Sequence, residues 1–320
     1  MPWRPRQKSR QRVRRSLRRG DGSLARRSRS RYEGPQRRIR QRQFFGGPGL
    51  NPVSNPLRVG AVSFVNTVPL IDGLDEHPQV LLQRDLPARL ADLLAEDRID
   101  VGLIPVVEYL RGVGGDLVPG ICIAAHGAVR TVKVFSQDPL DQVVEIAVDR
   151  GSRSSVALLR VLLGEMYGNE PDMHICEPRP DALFAHYETV LVIGDRADEI
   201  DPTGLHVYDL GEMWHELTGL PFVFATWVLS ERMSVADVRR GELIGILSAA
   251  RDSGFGRLEE LAQVEALRRR MDAGSIQQYW RENIHYTLGE AELAGLKRFA
   301  ELATKYDLVG ESRAVRVAQM

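Results

Sequence analysis

From Leu57 onward, short runs of β-favouring residues alternate with segments of helical spacing, and this alternation restricts the fold more than any other feature of the chain. It predicts strands at Leu57–Val62, Val80–Arg84, Ile99–Ile104, Ile121–Ala125, Val129–Ser136, Glu145–Val148, His174–Cys176 and Thr189–Ile193. Helices are predicted at Pro87–Glu96, with Pro in the first turn, and at Ser154–Tyr167. After a strand within Thr218–Leu229 the chain reads as helical to its end, over Val235–Ser253, Phe255–Ala273 and Leu288–Tyr306, with Thr287 and Glu290 as a capping box. The pattern predicts an α/β protein of two lobes with largely parallel sheets. The expected division is an N-terminal extension at 1–56, a first lobe from 57–135 and 222–320, and a second lobe at 136–221. A ligand would lie in the cleft between the lobes.

The formal net charge of +0 conceals a split. Residues 1–50 hold 17 Lys+Arg against two acids, Asp21 and Glu33, so the remainder is an acidic protein. Residues 1–56 are Arg, Ser, Gln and Gly without apolar periodicity, a composition that cannot offset the entropy of ordering. Arg pairs recur there, but no apolar run follows them, so neither a Sec nor a twin-arginine export signal is complete. One reading is a start assigned too far upstream, with translation beginning near Val53 or Val59. The other is a basic arm that meets nucleic acid through phosphates. Cys122 and Cys176 sit in apolar runs, which suits buried reduced thiols in a cytoplasmic chain. Hydrophobic content of 43% with charged content of 27% is that of a soluble globular protein, and no apolar run reaches membrane-spanning length.

Several polar segments lie where predicted strands end. Leu57–Val62 stops in a turn carrying Ser63, Asn66 and Thr67, with Pro69 at an expected helix start. Open α/β sheets present ligand sites at such strand ends, although polar βα turns also serve capping alone. Gly151-Ser-Arg-Ser-Ser155 opens a helix, so Ser152, Ser154 and Ser155 could receive a carboxylate or phosphate, or Ser152 or Ser154 could merely be an N-cap. Arg130 and Thr131 offer a guanidinium and a hydroxyl for a carboxylate, against a lobe-to-lobe salt bridge for the arginine. Gly194 allows close backbone approach, and Asp195 could orient Arg130 or cap a helix. The aromatics of Leu220–Trp227 read as core before ligand wall.

No Walker loop, G-x-G-x-x-G after the first strand, G-x-S-x-G or H-E-x-x-H occurs, so no cofactor and no metal is expected. The seven histidines are scattered; His126 and His215 fall near loops without an evident orienting partner. What remains is a site of Asn, Ser, Thr, Arg and backbone N–H groups, suited to a polar anionic small molecule.

Several segments together resemble the chorismate dehydratase family of the futalosine route to menaquinone. They are Val62-Ser-Phe-Val-Asn-Thr-Val-Pro-Leu70, Asp100-Val-Gly-Leu-Ile-Pro-Val-Val-Glu-Tyr109, Gly127-Ala-Val-Arg-Thr-Val-Lys-Val-Phe-Ser136, Asp149–Val156, Val192–Asp195 and Asp209–Ala225, in that order. The resemblance runs from about Leu57 to about Asp307, and Thr131 and Thr226 depart mildly from it. It implies a fold like a type 2 periplasmic binding protein and the conversion of chorismate to 3-[(1-carboxyvinyl)oxy]benzoate and water by a carbon–oxygen lyase. A dianionic substrate needs separated carboxylate binders, for which Ser152–Ser155 and Arg130-Thr131 are the candidates. Asn66 would hydrogen-bond the reacting ring, with a substrate carboxylate helping as base, since an amide is a poor one. The rivals are 1,4-dihydroxy-6-naphthoate synthase of the same pathway, and a non-catalytic small-anion-binding protein. The expected partner is a small dicarboxylate, with no membrane partner and nucleic acid disfavoured; the apolar residues of the C-terminal helices leave a homodimer open.

Overall fold

In the computed structural model the described residues are 55–149, 151–176, 186–235, 238–310 and 313–319. Nearly all of the expected N-terminal extension lies outside them. Strand β1 (Leu57–Val62) leads through a 3-10 turn (Val65–Leu70) to β2 (Val80–Asp85), helix α1 (Pro87–Ala95), β3 (Val101–Pro105), a short α2 (Val106–Leu110) and β4 (Leu117–Ala125). β1 and β3 are buried almost throughout and pair in parallel, as continuous apolar runs do when both faces of a sheet are covered. Pro87 occupies the first turn of α1, which turns Leu90, Ala91, Leu93 and Leu94 to the core.

The chain then crosses to a second sheet. It comprises β5 (Val132–Ser136), β6 (Glu145–Asp149), β7 (Asp172–Cys176), β8 (Thr189–Ile193) and β9 (His206–Asp209), with α3 (Arg153–Tyr167) between β6 and β7. After α4 (Leu210–Thr218) it returns as β10 (Phe222–Leu229). The first sheet has the order β2-β1-β3-β10-β4 and the second β7-β6-β8-β5-β9. Both sheets are mixed: β10 runs antiparallel to β3 and β4, and β5 runs antiparallel to β8 and β9.

The outgoing crossing comes earlier than residue 135. Val132–Ser136 pairs with β8 and β9, so this strand belongs to the second sheet. Val129–Thr131, expected as its first residues, form the crossing itself. The carboxylate of Asp209, where the chain turns back, accepts Val129 N–H at 2.9 Å and Arg130 N–H at 2.6 Å. It also accepts Gly211 N–H at 2.9 Å and Glu212 N–H at 3.2 Å, capping α4. Arg130 takes a left-handed φ of 68° at this point. The two crossings are in such close contact that a Cβ on Gly211 would lie 2.4 Å from the Gly127 carbonyl oxygen.

The C-terminal third is more divided than its sequence pattern suggests. Described are α5 (Glu231–Val235), α6 (Arg240–Gly256), α7 (Leu258–Arg269), α8 (Ala273–Gln278), a π-helical turn (Tyr279–Asn283) and α9 (Glu290–Lys305). Arg270 in the left-handed region ends α7, and Asp272 restarts the chain by accepting Ser275 N–H. The capping interaction of α9 joins Gly289 N–H to Glu292, not Thr287 to Glu290. β9 and α2 were not evident in the sequence; β9 has one buried residue of four, and α2 has five residues. Cys122 is buried and Cys176 half-buried, both free, and burial pushes the Cys122 thiol well up. Among the described residues no helix is long and apolar enough to cross a membrane.

Asp100 joins β1 to the segment before β3. It accepts Arg58 N–H at 2.7 Å and the Arg58 guanidinium at 2.7 Å, and it pairs with Arg232 of α5. Burial alone would raise its carboxyl, but these hydrogen bonds and charges outweigh it and hold the group below the usual carboxylate range. Because it ionises more readily folded than unfolded, its contribution is present above about pH 4 and is lost as pH falls through the lower folded value. Asp100→Asn should cost about 1–3 kcal/mol at neutral pH and flatten that part of the acid profile, read by urea unfolding across pH. Asp209→Ala should cost about 2–4 kcal/mol in the same assay, since it removes a cap and leaves two further buried N–H groups without a partner.

Candidate active site

The lobes enclose a cleft with an empty volume of about 580 Å³. From the first lobe it is lined by Phe64, Asn66, Pro105, Ile123 and Phe224, and from the second by Ser152–Ser155, Ile193 and Gly194. Thr131, on the crossing, also lines it. A cleft of this composition has apolar walls and a few convergent polar groups, the usual make-up of a small-molecule site.

Asn66 stands on the 3-10 turn after β1, and two aromatic donors fix that turn from behind. Trp280 Nε1–H donates to the Val65 carbonyl at 3.0 Å, and Tyr286 O–H donates to the Asn66 carbonyl at 2.9 Å. Burial pushes the Tyr286 phenol well above its ordinary range, so it stays a donor. Gly254 of α6 completes the support: a Cβ there would lie 2.1 Å from the Pro69 carbonyl oxygen, so only glycine lets α6 pack this closely on the turn. Pro69 sits inside the 3-10 turn and not at a helix start. Thr67 is fully buried and its hydroxyl reaches Asn66 Oδ1 at 3.4 Å, so it supports Asn66 without lining the cleft. Ser63 lies outside, exposed, with its hydroxyl on the Asp85 carbonyl at 3.4 Å.

Opposite Asn66 is the N-terminus of α3. Ser152 occupies the cap position at φ −107° and ψ 58°, and no side chain caps the helix. Its hydroxyl is buried without a hydrogen-bond partner among the described residues. The capping alternative for Ser152 therefore fails, and an unpartnered donor stands beside first-turn N–H groups at the positive end of the helix dipole. Ser154 lines the cleft, and its hydroxyl accepts Val107 N–H of α2 at 3.3 Å, linking the lobes. Ser155 lines the cleft from the same turn. Asp149 accepts Gly151 N–H at 2.8 Å and so shapes the loop that presents Ser152; burial pushes its carboxyl up.

The arginine beside this serine run is engaged. Arg153 lines the cleft but pairs with Asp92 at 3.1 Å and Glu108 at 3.2 Å, both in the first lobe. Arg130 does not line it. Its guanidinium meets Asp198 at 2.9 Å and Ser275 Oγ at 2.7 Å, the lobe-to-lobe contact that was the alternative to carboxylate binding. The physical reason is the left-handed backbone at Arg130, where Asp209 fixes the N–H and α8 receives the side chain. Its neighbour Thr131 remains in the cleft, with its hydroxyl 2.8 Å from Tyr279 Oη. Gly194 faces the Phe64 ring across the cleft and donates its N–H to the Thr131 carbonyl at 2.8 Å. The Asp195 side chain lies outside what the structure describes. Phe224 is cleft wall, whereas Phe222 and Trp227 are core. Tyr279, Trp280 and Tyr286, which hold the site from behind, carried no sequence signal beyond aromatic residues near the C-terminal helices.

Comparisons with known proteins give the family and the fold. A family model described as menaquinone biosynthesis matches residues 57–305. The chain is 32% identical to a chorismate dehydratase of Thermus thermophilus over 265 residues, covering 77% of this chain and 94% of that protein. It is 25% identical to a chorismate dehydratase of Campylobacter jejuni, covering 78% and 98% respectively. The crystal structure of the periplasmic aliphatic sulphonate binding protein SsuA from Escherichia coli superposes with a TM-score of 0.57 at 15% identity, covering 83% of this chain and 92% of that one. At that identity the likeness concerns the fold, a two-lobed one of the periplasmic-binding-protein kind.

Ser152→Ala should leave stability unchanged or raise it by about 1 kcal/mol, because the hydroxyl it removes is buried and unpartnered. The same change should weaken binding of a carboxylate ligand about tenfold or more. Thermal unfolding and calorimetric titration of one variant check both; a matching loss of stability would mean the hydroxyl has a structural role.

Proposed function

Since the chain belongs to the menaquinone-biosynthesis family that includes the chorismate dehydratases, we propose that it removes water from chorismate to give 3-[(1-carboxyvinyl)oxy]benzoate. The observation that carries this reading is the placement of Asn66 across one cleft from the uncapped start of α3 and its unpartnered Ser152 hydroxyl. The reaction takes a proton and the hydroxyl from the ring, releases them as water and leaves the ring aromatic, which places it among carbon–oxygen lyases. Aromatisation supplies much of the driving force, so orientation, exclusion of water and stabilisation of developing charge suffice as catalysis.

In this reading one carboxylate of the dianion sits on the first-turn N–H groups of α3 with Ser152 and Ser155. Asn66 hydrogen-bonds the reacting part of the ring, Thr131 bounds its far end, and a carboxylate of the substrate itself takes the proton. Phe64 and Phe224 flank the ring and keep water out. Arg130 has no part in substrate binding here; it serves the contact between lobes. A cytoplasmic location belongs to the same proposal and is supported by the two free cysteines.

Incubation of the full chain with chorismate, without added metal or nucleotide, should give a product lighter by one water with a substituted-benzoate spectrum. Chorismate that is unchanged but raises the melting temperature would indicate a non-catalytic anion-binding protein. Asn66→Ala should lower kcat by about a hundredfold with little change in KM, and an unchanged kcat would remove Asn66 from the reaction.

A further inference from the structure

Away from the cleft, three side chains that the dehydration does not use come together at the root of the outgoing crossing. His126 follows β4 and places Nε2 3.0 Å from Glu292 Oε1. The His126 and His285 rings are stacked, with centroids 4.4 Å apart. One ligand atom from each of His126, His285 and Glu292 lies within 4.8 Å of the others. Sequence spacing could not show this, because the three residues come from three separate elements; the orienting partner that His126 lacked in sequence is Glu292.

Each member is held by backbone structure. His285 exchanges N–H and carbonyl bonds with Ala124, both at 2.8 Å, which registers it against the end of β4. Glu292 is buried in the first turn of α9, and its second oxygen accepts Gly289 N–H at 3.0 Å, which orients the carboxylate. Asn283, two residues before His285, donates to the Ala128 carbonyl at 3.0 Å, so this segment also grips the crossing beyond His126. The two imidazoles are exposed, so an ion can reach them from solvent and the rings can turn.

We propose that His126, His285 and Glu292 bind a divalent ion of the zinc class, with water completing the coordination. Two imidazoles and a carboxylate are a donor set that zinc and its first-row neighbours accept. A tetrahedral ion with bonds of about 2.0–2.1 Å holds its ligand atoms roughly 3.3 Å apart, so the exposed rings would turn to close the present spacing of up to 4.8 Å. None of the three lines the cleft, so the ion would not touch the substrate. Its effect would be to staple the end of β4, the His285 segment and the start of α9 beside the crossing that carries Thr131. This proposal does not depend on the reaction assigned above.

The test uses the full chain, stripped with chelator and titrated with zinc chloride by calorimetry, and with cobalt(II) by visible absorption. Expected are one equivalent of zinc, cobalt bands of low coordination number, and a melting temperature several degrees higher with zinc. His126→Asn and His285→Gln should each weaken binding about tenfold or more and abolish the melting shift, while keeping the metal-free melting temperature and circular dichroism. Glu292→Gln, which preserves the oxygen facing Gly289, should weaken zinc while leaving α9 folded. Absence of zinc binding, or binding that the His126→Asn/His285→Gln double variant retains in full, would overturn the assignment.

Discussion

A single buried carboxylate, that of Asp209, receives backbone N–H groups from both passages of the chain between the lobes. Amides at a crossing have no partner in either sheet, and each left bare in the interior costs about 1–3 kcal/mol. Here Oδ1 accepts the N–H groups of Val129, Gly211 and Glu212, and Oδ2 accepts that of Arg130. The outgoing and returning segments are thereby set against one another, closely enough that Gly211 has no room for a Cβ beside Gly127. The positions of β5 and α3 relative to the first lobe, and so the width of the cleft, follow from this junction. The ion pairs at the cleft margins, Arg130–Asp198 and Arg153–Asp92, are partly exposed and contribute less, about 0–1 kcal/mol each.

The two walls of the cleft divide the work. The first lobe presents Asn66 on a turn whose carbonyls are occupied by Trp280 and Tyr286, so the turn is fixed before any ligand arrives. The second presents the start of α3 with one hydroxyl that no described residue satisfies. In the proposed reading, a rigid amide facing an unsatisfied donor at a helix N-terminus would favour a planar anion over a neutral guest, because the anion would make good the desolvation already incurred on the serine side.

Much of this was legible in the chain. The period of β1, β3 and β8 and the Pro-led α1 are local signals, and so were Asn66, Thr131, the serine run and Gly194, which lie where strands end. What was not legible depended on pairing across distance. Val129–Thr131 has the alternation of a strand, yet Asp209, far along the chain, draws its N–H groups into a crossing. Arg130 has the chemistry of a carboxylate clamp, and only the left-handed backbone turns it towards Ser275 and Asp198. Ser63 and Thr67 differ from Asn66 by which side of one 3-10 turn they occupy, a matter that neither composition nor spacing decides. The aromatic support from Tyr279, Trp280 and Tyr286 comes from more than two hundred residues away in the case of Asn66.

The position of β10 has a consequence for how the protein comes into being on the ribosome. β10 lies between β3 and β4, yet it is translated more than a hundred residues after β3. At about 5–20 residues per second the nascent first lobe waits on the order of ten seconds with β3 and β4 unpaired along the edges that β10 will fill. Such open edges invite pairing with other chains. The second lobe, whose five strands are all made in that interval, can close its sheet first. Asn66 is fixed later still, when Trp280 and Tyr286 emerge, so the activity of this chain should be among the last properties acquired in its synthesis.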